Sequence, residues 1–202
     1  MAYLGDGAQI PHIGKNEIVL RVKELLDECW DGSFPVNVEA VCDYLGIAIV
    51  SIDELFEKFC VDAFISADFK MIYVDQQEFE KESNRYRFSL AHELGHYVLH
   101  REYFSSRIED FEEWQGFARG FTNDYVERQA NFFAGSLLVP EMEMVRVFNR
   151  AFGGSLARNY WGVSLKEVRQ ILMRVRNYFK VSDEVVSRRM RDTFPGIGEV
   201  VR

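Results

Sequence analysis

Cysteine is scarce: Cys29, Cys42 and Cys60 are odd in number, widely separated and form no C-x-x-C pair. That pattern excludes a disulfide frame and a zinc knuckle, and it reads as reduced, mostly buried thiols. Fourteen glycines and four prolines in 202 residues are too few for a collagen-like or low-complexity chain. No apolar run approaches the ~18 residues of a membrane-spanning helix, so no membrane association is expected. The opening residues MAYLGDGAQIPHIGK lack a basic segment followed by an apolar stretch, so no secretion signal is expected and the chain reads as cytoplasmic. What remains, 48% hydrophobic and 28% charged residues, is the balance of a globular protein able to bury a core. Its length suits one domain, or one domain with a small satellite.

The net charge of −8 is uneven. Residues 146–191 hold eleven Lys/Arg against three Asp/Glu, a local +8 that leaves −16 for the rest. A basic end of this kind either meets nucleic acid or an acidic protein, or is a solvated helical face.

Periodicity organises the chain. Ile18, Val22, Leu25, Leu26 and Cys29 repeat at helical spacing over 15–29. A short helix fits Asn37–Leu45, with Gly46 as its stop. The β-branched run Ile47–Ile52 predicts a strand, and Asp62–Ser66 with Lys70–Val74 predicts a β-hairpin. Helices are expected from Ser83 to about Arg101 and from Tyr125 to Val139. Another follows Pro140 over 141–151. Ser164 and Glu167 form a capping box for a helix to about Asn177, and Ser182 caps a last one to about Asp192. The acidic and aromatic stretch 102–124 is long for a connection within one domain, which is usual for functional or mobile segments.

The chemistry lies on two of these helices. His92-Glu93-Leu94-Gly95-His96 is HExxH in mid-helix. Histidines at i and i+4 share one helical face, so both imidazoles can reach one metal ion, with Glu93 beside them to deprotonate water. A catalytic zinc needs a third protein ligand. His100 lies ~12 Å along the axis from His92 at ~1.5 Å per residue, too far to share an ion with it, and so reads as packing or as a substrate-side polar group. A histidine six residues past His96, the metzincin arrangement, is replaced by Glu102. Glu127 is the better candidate: it opens the next helix, where it is either a third ligand or an exposed carboxylate favoured by the helix dipole. Asn131, one turn on, shares its face and can hydrogen-bond a ligand imidazole. Ala130 is small where the two helices must approach.

RFSLAHELGHYVLH (Arg87–His100) followed by ERQANFFAGSLLVP (Glu127–Pro140) resembles the ImmA/IrrE family of zinc peptidases, over about residues 35–140. The resemblance implies an α+β, mostly helical, zincin-like minimal metallopeptidase. It would carry a small antiparallel sheet or hairpin and a helix-turn-helix-like C-terminal subdomain, divided as residues 1–152 and 153–202. It implies zinc (Zn2+) bound by His92, His96 and Glu127, with Glu93 as catalytic base. It further implies a bacterial or phage-borne cytoplasmic endopeptidase whose substrate is a helix-turn-helix transcriptional repressor, its cleavage releasing stress-response or mobile-element genes. A substrate strand is expected to add to the edge of the Lys70–Val74 strand. Tyr97, His100 and Tyr125 are the candidates for stabilising the oxyanion.

The C-terminal helices carry a second reading. Leu165–Arg176 and Asp183–Arg191 have the length and apolar spacing of a helix-turn-helix, with Arg188, Arg189 and Arg191 available to phosphates. On that reading the protein is a DNA-binding regulator with a structural or sensory metal. A helical subdomain that packs on the protease or receives the repressor is the favoured alternative.

Overall fold

The computed structural model describes residues 2–3, 9–81, 83–104, 124–151 and 165–193. Two short strands, β1 (Ala2–Tyr3) and β2 (Gln9–Ile10), pair antiparallel ahead of α1 (Lys15–Cys29). Helix α1 buries Ile18, Val22, Leu25 and Leu26 of the stripe its spacing predicts, and leaves Cys29 at its end half-buried. In α2 (Val38–Tyr44) the Asn37 side chain accepts from the Ala40 amide, and Gly46 then leaves the helix at φ +71°. A left-handed conformation of this kind favours glycine.

β3 (Ala48–Ile52), α3 (Leu55–Phe59), β4 (Ala63–Ile65), β5 (Met71–Asp75) and α4 (Gln76–Glu80) follow. The expected hairpin is present as β4 and β5, turning through Ser66–Lys70, where Ser66 Oγ accepts from the Lys70 and Met71 amides. The sheet is mixed rather than purely antiparallel, because β3 runs parallel to β5 and the strand order is β3-β5-β4. Ile72 and Val74 are buried in the middle strand. This order overturns the expectation that a substrate strand adds beside Lys70–Val74: both sides of β5 are occupied, and the edges belong to β3 and β4. The Ser66 amide bonds Met71 O and the Asp75 amide bonds Asp62 O, so residues 62, 64 and 66 turn towards β5. By strand alternation Ala63 and Ile65 present their backbone to the other side.

α5 (Asn84–Phe104) carries the HExxH run and packs on β4 and α2. Ser83 begins it, its hydroxyl accepting from the Tyr86 amide at 3.0 Å. Leu90, Ala91, Leu94 and Leu99 are buried along its length. α6 (Asp124–Leu138) buries Val126, Ala130, Phe133, Ala134, Leu137 and Leu138. α7 (Glu141–Ala151), α8 (Leu165–Phe179) and α9 (Asp183–Thr193) complete the described chain. The Ser164 cap and residues 105–123 lie outside the described residues.

The chain divides into two compact units, Met1–Asp31 with Asn37–Ala134, and Gly32–Val36 with Gly135–Arg202. In the second, Met144, Phe148, Val175, Phe179, Val186 and Met190 are buried, and Phe34 meets Phe179 edge-on at 5.3 Å. Ser182 caps α9 as expected, accepting from the Val185 amide. Of the arginines offered to phosphates, Arg189 is buried with its Nε donating to Val139 O, and Arg188 pairs with Glu184. Arg189 therefore cannot serve as a phosphate contact in this conformation.

No helix among the described residues is long and apolar enough to cross a membrane.

Asp75 joins three elements. Its carboxylate accepts from the amides of Gln77 and Glu78, capping α4, and from the Phe56 amide of α3. The bond from Phe56 holds its pKa below the ordinary carboxylate range, against burial and with help from the Glu78 and Gln77 amides. Asp75→Ala should cost about 2 kcal/mol, a lost N-cap plus an unsatisfied amide. Because the native pKa is depressed, the stabilisation is complete above the unfolded value of ~3.9 and lost as pH falls through the lower native value. Denaturant melts should show a constant gap between wild type and variant from pH 7 to about 4.5 and a narrowing gap below it.

Candidate metal centre

His92 and His96 lie one turn apart on α5 with their Nε2 atoms 3.0 Å from each other. Glu127, in the first turn of α6, places Oε2 3.1 Å from His92 Nε2 and Oε1 3.4 Å from His96 Nε2. One donor atom from each of the three residues falls within 4.8 Å of the others, the geometry of a group able to hold a metal ion. The two imidazoles are largely enclosed, while the Glu127 side chain is 37% exposed. The cluster is thus reached by solvent on the carboxylate side. Two imidazole nitrogens and one carboxylate are the His2Glu donor set of open catalytic zinc sites, so the residues present fit such an ion.

The close approach of α5 and α6 brings Glu127 there, and it depends on two small residues. A Cβ built on Gly95 would lie 3.0 Å from Ala130 Cα and 3.1 Å from Ala130 O. At the fourth residue of the HExxH run only glycine fits without displacement, because backbone of the other helix occupies the space of a side chain. Ala130, fully buried, has the role its size suggested.

Each imidazole is held from behind. His92 Nδ1 lies 3.3 Å from Asn131 Oδ1, the contact expected for a residue one turn past Glu127. His96 Nδ1 lies 3.2 Å from His100 Nδ1, and His100 Nε2 is 3.0 Å from Gln129 Oε1. His100 is fully buried and packs against His96, which places it out of reach of a substrate or an oxyanion. Gln129 was not singled out by the sequence. Tyr97 is half-buried, with the Arg101 guanidinium 4.5 Å from its ring centre and Phe69 beyond. Tyr125 faces the exposed His12 ring at 6.0 Å.

Glu93 sits one step round from His92, and its Oε2 accepts from the Ile65 amide of β4 at 2.9 Å. Burial pushes its carboxyl above the ordinary range, against the pull of His92 and His96. Burial works against a charged His92 as well, but the Glu127 hydrogen bond and the charges of Glu93 and Glu127 leave it raised. Burial likewise opposes the Glu127 charge, and the close His92 and His96 imidazoles outweigh it, holding the carboxylate well below its usual range. His100 is pushed down to about 3 by burial, with the neighbouring His96 adding to the effect.

A helix-borne imidazole pair, a carboxylate from the following helix and a small mixed sheet beside them make this an α+β, zincin-like fold. Residues 42–191 match the family model of the peptidase M78, IrrE N-terminal-like, domain, and the chain belongs to that family of metallopeptidases. The match runs through the C-terminal helices, further than the stretch 35–140 that carries the resemblance. No curated protein matches the chain.

Gly95→Ala tests the helix contact. In an open helix this exchange gains ~1 kcal/mol, whereas overpacking against fixed backbone costs ~1–3 kcal/mol. The variant should melt below wild type; a raised Tm would show that the helices have room.

Proposed function

We propose that this protein is a zinc-dependent endopeptidase in which His92, His96 and Glu127 hold the ion and Glu93 is the catalytic base. The observation that carries this reading is the convergence of those three side chains, from two helices, around one point. When bound, zinc supplies Lewis acidity to a water and to a substrate carbonyl. Glu93, buried and with its basicity raised, accepts the proton of the attacking water and returns it to the leaving amine. Its Oε2 is steadied by the Ile65 amide, which leaves Oε1 for the proton. The peptide lies antiparallel along the outward side of β4, where Ala63 and Ile65 offer backbone groups beside Glu93.

For the substrate we propose a helix-turn-helix transcriptional repressor, whose cleavage derepresses stress-response or mobile-element genes in a bacterial or phage setting. Such a substrate puts the site of action in the cytoplasm. Family resemblance and the edge of β4, which accepts an extended segment of a protein chain, support this choice.

The test incubates the purified protein with the repressor encoded beside it, in zinc, in chelator, and as Glu93→Gln. Wild type in zinc should cleave, and the chelated sample should not. The Gln variant should keep one zinc per chain and cleave at least ~100-fold more slowly. Equal cleavage by Glu93→Gln would reject the base. An intact repressor in all three samples would reject the substrate, while zinc content still decides the ligands.

A further inference from the structure

We infer that His100 and Gln129 form a proton-ordered relay, anchored on the backbone carbonyl of Ile13, that fixes the tautomer of His96 and holds its Nε2 lone pair towards the metal position. The inference rests on the reading of His96 as a ligand, and it adds two positioning residues to that site.

The order of protons follows from a group that has no choice. A backbone carbonyl only accepts, so the Gln129 amide nitrogen, 3.1 Å from Ile13 O, must be the end that faces it. The amide oxygen is thereby turned to His100 Nε2 at 3.0 Å. An amide oxygen also only accepts, so His100 carries its proton on Nε2. A neutral His100 then has its lone pair on Nδ1, 3.2 Å from His96 Nδ1, and His96 must donate there. His96 is left with an unprotonated Nε2, the atom that faces His92 and Glu127.

Without this acceptor the proton of His96 has another place to go. Glu127 Oε1, 3.4 Å from His96 Nε2, would accept it, and a protonated Nε2 cannot bind a metal. Water is poorly placed to substitute for the relay, since His100 is fully buried and Gln129 is 5% exposed. The anchor lies outside the two site helices: Ile13 belongs to the segment just before α1. The metal position is thus tied to the N-terminal segment through three hydrogen bonds.

Two measurements test the relay. Long-range proton–nitrogen NMR of the zinc-free protein at pH 8 should place the protons on His96 Nδ1 and His100 Nε2. A proton on His100 Nδ1 would overturn the relay. Zinc affinity, measured by chelator competition, should fall ~10–100-fold in His100→Leu and in Gln129→Leu. His100→Gln keeps an acceptor for His96 and a donor for Gln129, and should recover most of the loss. Folded His100→Leu protein that binds zinc like wild type would also overturn it. The NMR result on wild type decides the matter if the leucine variants do not fold. Failure of wild type to bind zinc would instead remove the ligand reading, and the tautomers of the metal-free protein would still report on the relay.

Discussion

Everything at the centre depends on how closely two helices can approach at Gly95 and Ala130. A carboxylate on one helix can meet imidazoles on another only if the backbones come near enough for short side chains to span the gap. Here the distance is set by contact between the Gly95 position and Ala130 backbone atoms, with Phe133 adjoining. The motif is usually described by its histidines and glutamate, but its fourth residue does the mechanical part. With no Cβ at 95, Glu127 reaches both Nε2 atoms while remaining in the first turn of α6. That location gives the carboxylate a second support, since the amide end of a helix favours negative charge.

A constellation of two imidazoles and two carboxylates in a partly enclosed space would be costly if each group were free to choose its charge. The surroundings remove most of that choice. Asn131 offers an oxygen to His92, His100 offers a lone pair to His96, and Ile65 offers an amide to Glu93. Each of these contacts takes the side of the residue that the metal position does not need. The perturbations of Glu93 and Glu127 run in opposite directions although both are glutamates a few ångströms from the same histidines. Glu127 lies against both rings and is held ionised, whereas burial dominates for Glu93 and makes it the better proton acceptor.

Much of this was legible in the amino-acid sequence, for identifiable reasons. Helices of fifteen or more residues announce themselves by repeated apolar positions, and α1, α5 and α6 begin or end within a few residues of where periodicity and capping put them. Helices α3 and α4, five residues each, are too short to show a period. The parallel pairing of β3 with β5 joins segments with α3 and β4 between them, and no local signal encodes it. The grouping of His92, His96 and Glu127 followed from i, i+4 geometry and a search for a carboxylate on a neighbouring helix. Gln129 could not be found that way. At about 100° per residue it sits ~200° around α6 from Glu127, away from the face that carries Asn131. Its long side chain reaches His100 regardless, and only coordinates reveal that. A signal existed on the other helix: His100 stands to His96 as His96 stands to His92, so a third stacked imidazole called for a partner of its own.

The edge of the sheet and the proposed acid–base residue constrain each other. A three-residue edge strand is short enough to avoid pairing indiscriminately with other chains, yet on the proposed reading it must still align a substrate. Ala63 and Ile65 turn their backbone outward, and one of those outward groups, the Ile65 amide, is bonded to Glu93. On that reading an incoming peptide meets the Ile65 amide and the Glu93 carboxylate as one unit. If its carbonyl takes the amide, Glu93 loses the donor that steadies Oε2 and becomes still more basic. If it does not, register must come from Ala63 and from the Ile65 carbonyl. On the proposed reading, the first case couples substrate alignment to the proton affinity of Glu93 through a single backbone N–H, and the second leaves that N–H on Glu93 at the cost of one alignment contact on β4.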